Sequence, residues 1–255
     1  MNRVLSGLLF FLTGLAGLAA FFYPFFLPAV SADEQQAGAM LLTTLLLSQS
    51  LGVLLVEVQG QAISAKVVAA LGILVAITAV LRFLEVAIPG PGGFSPIFAP
   101  IILAGYVFGA RFGFLMGTMT LLTSALITGT VGPWLPYQMF AAGWVGLTAG
   151  WLPKRVRPSL QLFFLLLLGA FWGLAYGFIM NLYFWPLAVG GDALSYTAGM
   201  GWQTAVTRYA GFYLATSLVW DWALGNVLLI LVLGRPSLQA MSRFRDRFAF
   251  QWEAA

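Results

Sequence analysis

The sequence predicts an all-α integral membrane protein with about eight transmembrane helices, and three observations carry that prediction. The 255 residues are 61% hydrophobic and only 8% charged, with a mean hydropathy of +0.94. So few charged side chains cannot coat a soluble globule of this size. Apolar runs continue for about 20 residues, enough for a bilayer-crossing helix, whereas barrel strands alternate over segments of about 10. Finally, Lys and Arg gather in alternate loops, as the positive-inside rule requires.

Hydropathy and Pro/Gly punctuation place the spans at 4–28, 39–57, 66–84, 97–110, 113–129, 137–152, 160–185 and 209–234. The first span follows Arg3 and precedes Ala29-Val30-Ser31, which has the small residues of a signal-peptidase site. Its apolar part, about 25 residues, exceeds the 7–15 of a signal peptide, so it is read as a retained helix. Residues 97–129 are interrupted only by Arg111 and read as one tilted helix or two shorter ones. Charge decides for two. With eight spans and a cytoplasmic N-terminus, Arg3, Lys66, Arg111, Lys154, Arg155, Arg157, Arg235, Arg243, Arg245 and Arg247 all fall inside, and Arg82 and Arg208 fall outside. The tail from 236 to 255 mixes arginines with Phe244, Phe248, Phe250 and Trp252, and is expected along the cytoplasmic membrane surface.

The chain contains no Cys and no His. That removes disulfides, thiol nucleophiles, imidazole bases and the commonest soft-metal ligands, and the sequence has neither paired carboxylates nor metal-ligand spacing. No catalytic constellation, cofactor or metal site is therefore expected. No solvated basic segment exists for nucleic acid to bind.

Small side chains recur at helical spacing, the pattern that lets membrane helices approach closely. Ala69, Gly72, Ala76 and Ala79 share one face. Gly105, Gly109, Gly113 and Gly117 form a second stripe. Gln138 leads through Ala142 and Gly146 to Gly150, and Gly169, Gly173 and Gly177 lead to Asn181. Ordinary helix packing accounts for each stripe taken alone. Polar residues lie at the outer ends of three spans: Gln138, Asn181, and Arg208 with Tyr209. Each amide singly reads as an interhelical clasp, but their convergence with Trp134, Tyr137 and Trp185 points to an outward-facing ligand pocket. Arg82 and Glu85, at i, i+3, either pair with each other or bracket a charged ligand group. The outer loops 89–100, 128–136 and 186–207, the last carrying Asp192, Tyr196 and Trp202, have the character of covers.

Asp221 stands in the uncharged run from Tyr209 to Gly234. A carboxylate at that depth costs roughly 2.5–3.5 kcal/mol on insertion scales, so it faces protein, water or a partner. It either anchors helix packing or lines the pocket floor. Tyr209, Tyr213, Ser217, Asp221 and Gly225 make a polar stripe at i, i+4 spacing.

The run PGGFSPIFAPIILAGYVFGARFGFLMG, continued by GPWLPYQMFAAGWVGLTAGWLP, resembles the substrate-binding (S) components of energy-coupling factor (ECF) transporters, bacterial vitamin importers. The likeness extends over residues 66–235. It implies a six-helix core at 61–235, preceded by an additional helix pair at 1–60 and followed by the basic tail at 236–255. It also implies a plasma-membrane location, and the charge placement puts both termini in the cytoplasm. The resemblance assigns Ala69, Gly72, Ala76 and Ala79 to the face that docks on a transmembrane coupling subunit. It places the pocket beneath loops 85–98, 129–136 and 186–207, and implies two separate ATPase subunits. The sequence has no phosphate loop of the form GxxxxGK followed by Ser or Thr, so ATP is left to those partners.

The leading expectation is a non-enzymatic subunit that captures a vitamin or vitamin precursor. A proton-coupled secondary transporter titrating Asp221 is the first alternative, although no repeat relates the two halves. An intramembrane enzyme, for example a lipid-modifying transferase, is the second, and no catalytic constellation supports it; a polytopic scaffold protein, which predicts no saturable binding of a small molecule, is a residual alternative.

Overall fold

The computed structural model describes residues 65–87, 95–132, 134–187, 193–197, 199–216 and 219–247, with single helical positions between 11 and 22 and at 48. The second expected span, most of the first, the loop at 88–94, Asp192 and the tail from 248 onward lie outside the described residues, as does the side chain of Asp221.

The regular structure among the described residues is helical. In chain order it comprises α1 (Ala65–Ala87), α2 (Phe98–Phe108), α3 (Ala110–Thr128), α4 (Leu135–Ala149), α5 (Pro158–Phe184) with a 3-10 turn at Trp185–Leu187, α6 (Trp202–Thr216) and α7 (Val219–Arg247). Four segments are apolar and long enough to cross a bilayer: Lys66–Phe83, Ala110–Thr128, Pro158–Phe184 and Ala223–Arg247. The 11 residues of α2 are too few, because at 1.5 Å per residue they cover only about half of the roughly 30 Å hydrocarbon thickness. This helix is enclosed by protein instead, with Ile101, Ile102 and Ala104 wholly buried.

The expected turn within 97–129 is present, two residues before Arg111. Gly109 adopts φ +107°, a conformation that a side chain disfavours, so α2 ends and α3 begins with a single residue between them.

The chain forms two compact units. The larger comprises Ile63–Val131, Met139–Tyr176 and Val219–Ala255. Within it α1 packs on α3, and α2 packs on both α3 and α7. Its centre is built from glycine. A Cβ on Gly146 would stand 2.0 Å from the Gly113 carbonyl oxygen, one on Gly105 2.2 Å from that of Gly146, and one on Gly117 2.1 Å from that of Ala142. The stripes on α2, α3 and α4 thus meet backbone to backbone, the arrangement that supplies dispersion contact where lipid gives helices no hydrophobic drive to associate. On α5, Gly173 meets Ala223 of α7 in the same way, at 2.3 Å for a built Cβ.

The second unit comprises Met1–Ala62, Gly132–Gln138 and Gly177–Leu218. Its described part holds the first turn of α4, the last two turns of α5, the 3-10 turn and α6.

Two boundaries differ by more than a turn from those read off the hydropathy. The span expected at 209–234 is covered by α6 and α7, with Ser217 and Leu218 between them outside the described residues. Helix α6 also starts earlier, at Trp202, within the expected outer loop. The expected end at Gly234 is passed, and α7 continues through Pro236 to Arg247. Proline removes one backbone donor but leaves the chain free to continue when tertiary contacts hold it. Here Gly234 and Leu238 are buried, Met241 and Phe244 lie against α1 and α2, and Arg245 Nη1 reaches the Val107 carbonyl at 3.5 Å.

Candidate functional site

The second unit gathers aromatic rings around a short stretch of loop. Trp185, in the turn that follows α5, packs edge-on against Tyr196 (5.2 Å between centroids) and against Tyr209 of α6 (5.1 Å). Tyr209 continues the cluster to Phe178 (5.1 Å), and its hydroxyl donates to the Phe178 carbonyl. Phe178 also meets Tyr213 at 5.8 Å. Edge-to-face rings at such separations gain roughly 0.5–1.5 kcal/mol per pair beyond burial.

Residues 193–197 are fastened to this cluster by side chains of two different elements. Trp185 Nε1 donates to the Leu194 carbonyl at 2.8 Å. Arg208 Nη1 donates to the Ser195 carbonyl at 3.1 Å and to Thr197 Oγ1 at 3.2 Å. Gly211 of α6 admits the Leu194 side chain, which a Cβ there would approach to 2.6 Å. Residues 193–197 of the expected loop 186–207 are therefore held against Trp185 and α6.

A second group of rings stands on α4 and α5. Tyr137 lies 4.3 Å from Tyr183 and 4.9 Å from Phe21, and Tyr183 lies 5.0 Å from Phe184. Asn181, almost wholly buried, donates from Nδ2 to Thr216 Oγ1 of α6 at 3.0 Å, and Thr216 in turn donates to the Phe212 carbonyl at 2.7 Å. Asn181 is thus a clasp between α5 and α6. Gln138 is half-buried, and the Trp134 ring is 36% exposed over Gly132.

Arg82 and Glu85 belong to the larger unit and resolve as a pair. Arg82 Nη1 lies 2.9 Å from Glu85 Oε1, and Ser95 Oγ donates to Glu85 Oε2 at 2.7 Å. Burial pushes the Glu85 carboxyl above its usual value, against the opposing pull of Arg82 and Ser95. Nearby, Tyr176 packs on Phe98 at 4.6 Å. Asp221 is the third residue of α7, and its side chain lies outside the described residues.

On α1, Ala69, Gly72 and Ala76 are exposed, and nothing stands within 4 Å of a Cβ built on Gly72. Ala79 departs from that face and is wholly buried.

Asn226 was not legible as a contributor. It is wholly buried on α7 and donates from Nδ2 to the Gly169 carbonyl of α5 at 3.1 Å. The available signal was an amide in an apolar run facing a glycine stripe, which spacing within its own helix does not expose. Gly211, too, is explained only by the loop packed against it.

Among the described residues no three His, Cys, Asp or Glu side chains are grouped as metal ligands. The second unit holds aromatic rings, the Asn181 amide and the Arg208 guanidinium.

Comparison with curated proteins found no match, and comparison with solved structures found none. The protein family described as ECF transporter, substrate-specific component, matches residues 66–234, about two thirds of the 255. The match begins at the start of α1 and ends within α7, so it contains every site residue considered above apart from Phe21. That family supplies substrate-binding components of transporters, which work with membrane and ATPase subunits, and is not a family of enzymes. The chain belongs to the substrate-specific components of ECF transporters.

Proposed function

We propose that this chain captures a vitamin or vitamin precursor from outside the cell and presents it to a separate ATP-driven membrane complex. The observation that carries this reading is the ring cluster of Phe178, Trp185, Tyr196 and Tyr209 beneath the fastened loop 193–197. Ring faces and an indole bind flat, conjugated ligands with little need for charge. Trp185 and Tyr209 supply the stacking surface, Arg208 sets the loop and offers its guanidinium, and Trp134, Tyr137, Gln138 and Asn181 line the remainder.

In this reading residues 61–235 form a six-helix core, residues 1–60 add a helix pair, and about eight helices cross the plasma membrane of a bacterium with both termini cytoplasmic. The exposed Ala69, Gly72 and Ala76 give α1 a shallow face on which a helix of the coupling subunit can seat closely, with Ala79 at its covered edge. Catalysis is absent from the role, and ATP hydrolysis falls to the partners.

The test is chemical identification of the cargo. The chain is purified from its host in detergent and denatured, and the released small molecules are identified by mass spectrometry. A conjugated ring compound approaching one per chain is expected, and it should be depleted in Trp185→Ala. Failure to retain any compound, in preparations that remain folded, contradicts the proposal.

A further inference from the structure

The last turns of α7 form one wall of a groove. Met241 and Phe244 face Ile73 and Leu74 of α1 and Phe108 at the end of α2, around a cavity of about 190 Å³. The walls are apolar, and cations stand beside the residues that form them. Arg245 follows Phe244 and reaches the carbonyl of Val107, the neighbour of Phe108, at 3.5 Å. Lys154, in the α4–α5 loop, is held below its usual pKa, chiefly by burial and also by the charge of Arg245. Lys66 stands one helical turn before Ala70, which also lines the groove, and Arg243 and Arg247 are exposed beside Arg245. Asp246, paired with Arg245 at 2.9 Å, is the one acid among these described residues.

An apolar slot with cations close beside it, on a chain that crosses a bilayer, complements a molecule with a hydrocarbon tail and an anionic head. Basic pockets between helices on the cytoplasmic side hold anionic lipid headgroups for this reason. We propose that the groove between α1, α2 and α7 binds one anionic phospholipid, its acyl chain against Ile73, Met241 and Phe244 and its phosphate at Arg245 and Lys154. The ligand relieves the repulsion between those two cations and fills the slot. This site is independent of the nutrient site.

The full-length chain is reconstituted in nanodiscs of equal parts phosphatidylglycerol and phosphatidylcholine, and the lipid it retains is read by native mass spectrometry. One phosphatidylglycerol is expected in at least tenfold preference. Charge removal at Lys154→Gln and Arg245→Gln lowers that preference roughly fivefold each. Ala240→Trp, which fills the groove and leaves the cations in place, abolishes retention. Deacylated glycerophosphoglycerol does not compete. Thermal melts establish that each variant is folded, and Arg245→Gln alone suffices if Lys154→Gln is not. Equal retention of the two lipids overturns the proposal, as does retention unchanged in Ala240→Trp, which marks plain surface charge or a groove kept for a protein helix. Competition by the deacylated headgroup also overturns it, by making the ligand a free phosphate.

Discussion

Trp185 and Arg208 act on the same five residues of loop from two different elements, and each does so through one donor group on a side chain that also contributes bulk. Trp185→Phe keeps a ring and deletes the indole N–H. A lost buried hydrogen bond costs roughly 1–3 kcal/mol, so this change should weaken ligand binding about tenfold. Isothermal titration with the identified cargo checks it, and unchanged affinity would remove the loop from the site. Asn181 was read from sequence as either clasp or pocket residue, and its bond to Thr216 gives it the first role at least. Asn181→Leu should therefore lower the melting temperature as well as the affinity. Glu85 gives a pH signature. Its raised pKa means that the folded chain holds the proton more tightly than the unfolded one, so stability falls as pH rises from the ordinary carboxylate value through the raised one. The wild-type melting temperature should climb as pH is lowered toward the ordinary carboxylate range. In Glu85→Gln that component should be missing, and equal slopes for the two proteins would contradict the assignment.

At the level of helices, small-residue spacing was the most legible feature of the sequence. The stripes through Gly105, Gly113 and Gly117 on one side and Ala142, Gly146 and Gly150 on the other meet as backbone contacts, because the spacing of glycine on a helix is itself the shape of the contact. What lies across from a helix is not written in its own periodicity. Hence the continuation of α7 beyond Pro236 was not foreseen: Met241 and Phe244 find partners on α1 and α2 that only the fold supplies. The cut at Gly109 was displaced by two residues because charge marks which side a turn is on, while φ decides where it occurs. Two alanine substitutions separate packed from open glycines. Gly146→Ala places a methyl on the Gly113 carbonyl and should destabilise by about 1–3 kcal/mol, whereas Gly72→Ala meets nothing and should be neutral or slightly stabilising. Melting temperatures in one detergent compare them, and equal effects would refute the packing.

For the whole chain, composition was enough to place it in a membrane, and the resemblance carried by residues 91–117 and 132–153 was enough to name its family, now matched over 66–234. The mutual placement of the candidate site residues was only partly legible. Trp185, Arg208 and Tyr209 are gathered as expected, while Arg82 and Glu85 close on each other. Sequence marks polar residues at a helix end but not which of them satisfy one another. Docking should be separable from capture. In a reconstituted transporter, Ala76→Trp on the exposed face of α1 should leave ligand affinity intact and abolish uptake, and retained uptake would exclude that face. The central claim is that the rings under loop 193–197 hold the nutrient. Its most direct measurement is a titration of the ligand-free chain with its own cargo, followed by intrinsic fluorescence, in wild type and in Tyr209→Ala. Saturable quenching with one site in the wild type, and affinity lowered at least tenfold in a folded Tyr209→Ala, is the result expected. Equal affinity in the two proteins would put the site elsewhere.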